Sequence, residues 1–349
     1  MDIRKNKIDS ETYDYWREEI TASQKRREEF VKTSDKLYSQ YRNESELSNN
    51  VSRYGILYSN TEVLLPILYS NTPKPACRSK RATSKPEYKS AAKMLEAAIS
   101  TVIDSQDFDG EALDVVQDYA LIGMGTSRLC YEPVINEDDD ELVYETCRFE
   151  FVAYQDFLFG KGKRWNKIPW LAYRGYKTEE EVAELTSDKI AAKLNYRPAK
   201  EDGDQITGGD NPDSEKVAEL WEIWDKANKQ RIFICMEQGY TQPLLVEDDP
   251  YNLKDFFPSP RPLRAISTAN TFEARPLYAA YQEQAMELDE VCTRIMLLTQ
   301  EIKRRGAYNA NIPELSQVYN AADNEFVAIE HWTKIVEGGG LAAFVQELP

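Results

Sequence analysis

VAELWEIWDKANKQRIFICMEQGYTQPLLVEDDPYNLKDFFPSPRPL (217–263) decides the fold. Three short runs rich in Trp, Ile, Phe and Val, at 217–225, 230–236 and 243–247, are separated by the turn-forming groups 226–229 and 237–240. Short apolar runs with polar punctuation predict an antiparallel meander. The closing FFPSPRPL cannot extend it as a central strand, because proline donates no ladder hydrogen bond. A helix-patterned stretch of about 29 residues, 277–305, follows almost directly. Strands that are neighbours in sequence, with helices before and after them, point to an α+β fold rather than a βαβ repeat.

Composition sets the frame. At ~100–200 residues per domain, 349 residues allow about two domains, and an apolar fraction of 42% is ample for a core. No run reaches the ~18 apolar residues of a membrane span. The opening MDIRKNKIDS has no apolar secretion signal, so synthesis and retention in a cytoplasm are expected. Cys77, Cys130, Cys147, Cys235 and Cys292 form no CxxC pair, which argues against a zinc site or a disulfide framework. The formal charge is −17, from 60 acids against 43 bases. A protein that grips a duplex neutralises phosphates and is usually basic, so an ordinary DNA-binding module is excluded. An acidic wall past which a duplex slides fits this charge; so does plain solubility.

Upstream of the meander, 11–47 is a charged helix with a thin apolar stripe (Tyr13, Trp16, Ile20, continuing to Leu37, Tyr38 and Tyr41). Residues 51–71 are apolar and punctuated by prolines. Residues 73–86 form the one basic segment, with Lys74, Arg78, Lys80, Arg81 and Lys85, read as a solvated loop or a nucleic-acid contact. Helices are expected at 87–104, with Ala91, Met94, Leu95, Ala98, Ile99 and Val102 on one face, and at 110–122. Gly123 and Gly125 end the second, and a hairpin follows, with strands at 127–131 and 142–152 around the turn 136–141. Thr178 and Glu181 form a capping box that opens a helix over 178–196. The stretch 199–215, AKEDGDQITGGDNPDSE, reads as a loop. After the long helix, 307–349 holds short strand-like and turn pieces, including FVAIEHW (326–332) and a glycine turn at 338–340.

In the long helix Pro276 stands at the first turn. Tyr281, Ala285, Leu288, Cys292 and Ile295 repeat at four and three, Ile302 continues the line, and this seam calls for a helical neighbour. The opposite face carries Glu283, Glu287, Glu290 and Arg294. Lys303, Arg304 and Arg305 sit where cations favour the helix dipole, and Gly306 ends the helix. Its length is about 44 Å at ~1.5 Å per residue.

Motifs for chemistry are missing. There is no phosphate-binding GxxxxGK[ST], and Gly123-Met124-Gly125 lies between a helix and a strand, the wrong order for dinucleotide binding. DFDG (107–110) lacks the terminal glutamate of a calcium loop. His331, the only histidine, has no partner context for a triad or a metal pair. No cofactor, metal or catalytic residue is therefore assigned. An acidic hydrolase would need two carboxylates converging in one cleft, which sequence alone cannot place.

Six blocks in order, DYALIGMGTSRLCYEPV (118–134), YQDFLFGKGKRWNKIPWLAYRGYKTEEEV (154–182), ELWEIWDK (219–226), FFPSPRPL (256–263), YAAYQEQAMELDEVCTRIMLLTQEIKRRGAY (278–308) and HWTKIVEGGGLAAFVQELP (331–349), resemble the portal proteins of tailed double-stranded DNA bacteriophages, podovirus-like in type. The resemblance covers most of 50–349. It implies a ring of about twelve subunits around a DNA channel. It further implies an N-terminal helical arm (1–50), a mixed α/β wing with hairpin and meander (51–262), a stem helix region (263–305) and a small α/β clip segment (306–349). On that reading Glu283, Glu287, Glu290 and Arg294 are candidates to line the channel, and the partners are further copies of the chain, the large terminase, tail or head-completion adaptors, capsid or scaffold protein, and DNA held without sequence specificity. The place is the portal vertex of the virion, reached from the host cytoplasm. The sequence ends at Pro349, before the second stem helix, channel loop and crown, and is expected to be a shortened form. The competing reading is a soluble adaptor that docks its long helix on a partner protein.

Overall fold

The computed structural model describes residues 7–42, 55–79, 86–135, 142–202, 205–208, 216–236, 240–301, 305–308, 317, 328–330, 332–340 and 345–348. The turn at 136–141, residues 80–85 of the basic segment, His331 and the seam and stem-end positions Ile302, Lys303 and Arg304 lie outside them. The fold is α+β, with antiparallel sheets. Two compact units divide the chain: residues 1–45 with 55–285, and residues 46–54 with 286–349.

The meander forms as the sequence implies. β7 (Lys216–Asp225), β8 (Gln230–Cys235) and β9 (Leu245–Asp248) pair antiparallel in order. Asp225 sets the first turn by accepting from the Ala227 amide at 3.0 Å and the Asn228 side chain at 2.7 Å, and Lys229 takes a positive φ of 54°. On the other edge β7 pairs with β4 (Trp170–Lys177), which pairs with β3 (Phe157–Phe159).

This sheet is buried on both faces, and the period-two alternation sorts its side chains. Trp221 and Ile223, with Ile232, Ile234, Trp170 and Ala172, meet helix α1 (Ser10–Tyr41) through Tyr13, Trp16 and Ile20. Trp224, with Leu171 and Tyr173, faces the other way onto Phe256, Phe257 and Phe272, supplied by the proline run and the segment after it. Ala218, Leu220 and Phe233 pack against Val182, Ala191 and Leu194. The N-terminal helix is thus part of the core. Its buried line includes Ser23 and Arg27, which the apolar pattern did not mark. Ser23 donates to the Phe159 carbonyl at 2.9 Å. Arg27 donates to the carbonyls of Tyr154 (3.1 Å) and Phe157 and pairs with Glu273 at 3.2 Å, strapping α1 across β3.

The hairpin is β1 (Met124–Ile135) with β2 (Leu142–Val152), extended by β10 (Leu263–Arg264) on β1. β11 (Ile266–Ser267) and β12 (Ala274–Arg275) form a small ladder. Ahead of the hairpin come α2 (Ile56–Leu68), α3 (Pro86–Asp104) and α4 (Phe108–Leu121). α2 contains Pro66 in its last turn, where the ring removes one i→i−4 hydrogen bond, the one to the Glu62 carbonyl.

Several expectations need correction. The helix expected over 178–196 is two short ones, α5 (Glu179–Leu185) and α6 (Asp188–Ala191), because Thr186 leaves helical geometry at φ −129°, ψ −84°. The capping box is present, with the Glu181 carboxylate accepting from the Thr178 amide at 2.9 Å. The stretch read as a loop from 199 contains two strands, β5 (Arg197–Asp202) and β6 (Gln205–Gly208), paired with each other and, through Arg197 and Pro198, with β7. The ladder satisfies the backbone of a polar stretch whose side chains gave no apolar signal. The long helix begins later than expected: Leu277–Ala280 is one 3-10 turn capped at Pro276, Tyr281 breaks the run at φ −132°, and α7 spans Gln282–Glu301. At ~1.5 Å per residue it is about 30 Å long. Arg305 and Gly306 begin strand β13 (Arg305–Tyr308), paired with β14 (Val345–Leu348), so Arg305 is not a helix-end cation and Gly306 is not a helix stop. Trp332, read as the end of a strand, opens the short helix α8 (Trp332–Glu337). Gly339 and Gly340, both at positive φ, end it, with the Gly340 amide donating to the Ile335 carbonyl at 2.8 Å.

Candidate functional site

α7 carries the residues singled out for function. Glu283, Glu287, Glu290 and Arg294 are all exposed and, at spacings of four, three and four, share one face. Arg294 and Glu290 pair at 2.8 Å across one turn in water, worth a few tenths of a kcal/mol. The line keeps a net negative charge. The packing seam is split. Ala285 is buried and Tyr281 half-buried in a cluster with Leu37, Leu57, Leu121, Ile122, Tyr154 and Tyr278. Leu288 and Cys292 are half-buried. Ile295 is 57% exposed, and with Val291 and Leu298 it makes a second stripe, aliphatic and open to solvent, beside the acidic line. The seam was expected to be one continuous line, but an α-helix drifts off a strict 3.5 repeat.

Gly123-Met124-Gly125 is a packing device. Gly123 has φ +88°, and a Cβ there would stand 2.5 Å from the Arg275 carbonyl oxygen. A Cβ on Gly125 would lie 2.0 Å from the Val115 oxygen. Gly125 lets β1 start directly against α4, and Gly123 lets the preceding turn run against the Arg275–Pro276 backbone.

A cleft of about 290 Å³ opens between the hairpin and the sheet, lined by Tyr131, Tyr173, Trp224 and Tyr251 and by Arg128 and Arg231. Both guanidinium groups are spoken for. Arg128 pairs with Glu150 and, at 3.2 Å, with Glu222; Arg231 pairs with Glu247 at 2.7 Å and Glu222 at 3.6 Å. Arg128 lies over the Tyr173 ring and Arg231 over Phe233 and Trp224. The Cys130 thiol donates to Glu150 at 3.3 Å, and burial pushes its pKa up to about 12, so it stays a thiol and is no nucleophile. The cleft therefore joins hairpin to sheet through neutralised pairs and aromatic walls, with no activated group.

A second buried polar cluster lies where α1, α4 and the turn before α7 meet. Asp118, 1% exposed, accepts from the Tyr38 hydroxyl, and its other carboxyl oxygen has no partner. Burial raises its pKa to about 8, opposed by the Tyr38 hydrogen bond and reinforced by Asp114. It is mostly a neutral acid at pH 7. Tyr38 stacks on Tyr154, whose hydroxyl donates to Asp35 at 2.7 Å. One aspartate among many carries no sequence mark of such burial.

Among the described residues no group of three His, Cys, Asp or Glu side chains is placed to hold a metal, and no helix is long and apolar enough to cross a membrane. No family model matches the chain, and no curated protein matches it.

Proposed function

We propose that this chain is a structural subunit of a ring-shaped, DNA-conducting portal of a tailed bacteriophage. The observation that carries the reading is α7. It presents an acidic line (Glu283, Glu287, Glu290, with Arg294) and, beside it, an uncovered aliphatic stripe (Val291, Ile295, Leu298). Lateral copies of the same helix would cover the stripe, and the acidic line would face a lumen. Repulsion between that lumen and the phosphates lets a duplex move without arrest. The ordered resemblance of the sequence blocks and the −17 charge support the same reading. On it the chain does no catalysis, takes no cofactor, and works with terminase, tail adaptors, capsid or scaffold protein and DNA at the portal vertex.

The exposed stripe also suits a soluble adaptor that lays α7 into a groove on another protein. Electron microscopy of the purified chain with mass photometry separates the two. A ring with a central hole supports the portal. A monodisperse monomer across micromolar concentrations overturns it and favours the adaptor. Within a ring, Glu287→Lys with Glu290→Lys should alter DNA packaging or retention with folding unchanged; unaltered packaging would remove the acidic line from the channel.

A further inference from the structure

The loop between β3 and β4, GKGKRWNKIP (160–169), carries Lys161, Lys163, Arg164 and Lys167, all exposed. It lies within a stretch, 157–178, that holds no Asp or Glu, in a chain with 60 acids and a formal charge of −17. Among the described residues none of the four cations takes part in an ion pair. Positive charge is thus gathered, and left unneutralised, at one place on an acidic protein.

The loop is held in one shape. The Gly160 amide donates to the Trp170 carbonyl at 2.9 Å and closes its neck. The amides of Lys167 and Ile168 donate to the Arg164 and Trp165 carbonyls at 2.8 and 3.2 Å, forming a single 3-10 turn. Trp165 is half-buried and packs on Phe257 and Phe272, with ring centroids 5.6 and 5.8 Å away. Three more cations, from other elements, stand around these anchors. Arg26 of α1 donates to the Phe159 carbonyl at the root of the loop. Lys226 lies 5.1 Å over the Phe257 ring, and its amide donates to the Pro169 carbonyl at 3.0 Å. Arg264 lies 4.9 Å over the Phe272 ring.

We infer that this loop is a contact for the phosphate backbone of a nucleic-acid duplex. Exposed cations on a rigid loop neutralise phosphates without reading bases. A protein partner fits less well. Protein interfaces bury an apolar centre and are poor in lysine, whereas no large hydrophobic side chain is exposed between 157 and 178. Nucleic-acid interfaces are polar and strongly positive. The charge of the whole chain does not forbid the contact, because at ~0.15 M salt exposed charges more than about 8 Å apart are largely screened from one another. It does keep the contact weak and sensitive to salt. This is a grip on the backbone rather than a wall past which DNA slides, and it stands without the ring.

The test uses the full chain and a short fluorescent duplex, titrated by anisotropy between ~50 and ~200 mM salt. Four phosphate contacts at ~0.9 each predict a log–log salt slope of about −3 to −4. Lys161→Gln, Lys163→Gln, Arg164→Gln and Lys167→Gln together should weaken binding by about tenfold or more and flatten the slope by about 3. The melting temperature should not change, because all four side chains are exposed. The same loss of charge made at the exposed Lys7, Lys36, Lys189 and Lys193, each to Gln, should leave binding near the wild-type level. No duplex binding at ~50 mM salt, or equal losses in the two variants, overturns the contact and leaves the ring standing. Capture of polyglutamate without the duplex assigns the loop to an acidic protein surface and also overturns it. A monomer that binds the duplex with the expected slope upholds this contact and sinks the ring.

Discussion

Replacing Asp118 with Asn isolates the cost of burying one carboxyl. The side chain is fully buried, with one oxygen on the Tyr38 hydroxyl and the other unpartnered. Its pKa is about 8 in the folded chain against an ordinary 3.8. A raised folded pKa means the folded state holds its proton more tightly than the unfolded one. The associated stability is fully present below about pH 4 and is lost as pH rises toward and through about 8. At ~1.36 kcal/mol per unit the loss is about 4 kcal/mol by pH 7 and approaches ~6 kcal/mol above pH 9. Asn has the same shape, keeps an oxygen for the Tyr38 hydroxyl, and stays neutral throughout. Every other titrating group is common to both proteins, so urea unfolding of the pair across pH 3.5–9 reports the difference directly. The stability of Asp118→Asn relative to wild type should be constant below about pH 4, rise by several kcal/mol between pH 4 and 8, and flatten above. Parallel curves across that range would refute the burial of an ionisable Asp118 and, with it, the packing of α1 on α4 around Tyr38.

Two further substitutions probe the frame. Gly125→Ala forces a Cβ to 2.0 Å from the Val115 carbonyl oxygen, so β1 must move off α4; a loss of more than ~2 kcal/mol in chemical denaturation is expected, and a neutral result would contradict that close approach. Arg27→Met removes the guanidinium from the Tyr154 and Phe157 carbonyls and leaves Glu273 without its pair. The expected cost is ~3–5 kcal/mol, accompanied by faster hydrogen exchange at the amides of α1.

The parts of this architecture that could be read from sequence are those where one residue type answers one local need. Trp221 and Trp224, three apart in a strand, must point to opposite faces, and they anchor two separate clusters. Thr178 and Glu181 cap a helix by reciprocal hydrogen bonds that depend on nothing else in the fold. Gly123 and Gly125 sit where a chain turning from helix to strand runs against another backbone. The parts that could not be read depend on distant partners. Ser23 and Arg27 belong to the buried face of α1 because the carbonyls of β3 end there unpaired, a fact held by residues more than a hundred positions away. β5 and β6 exist because β7 offers them an edge. The helical period showed that α3 and α7 have apolar stripes but not which way they face, since the direction of a stripe is set by whatever else competes for the core.

That competition bears on function. Around the sheet of the first unit, α1 covers one face, while the proline run, α5 and α6 cover the other, with Trp, Phe and Ile side chains largely out of water. The core is filled without α3, so the stripe on α3 is not a face the fold failed to bury. It could have been turned inward at the expense of Glu96 and Ser100, and it was not. Contiguous exposed apolar surface is a liability for a chain alone in solution and marks interaction sites when it recurs. An adaptor that docks a single helix needs one such stripe. This chain carries one on α3, another on α7 and an apolar patch on its hairpin. More than one exposed apolar stripe calls for more than one neighbour, and the proposed ring of identical copies would supply them. This multiplicity, more than the length of α7, favours a repeating assembly over a one-to-one complex.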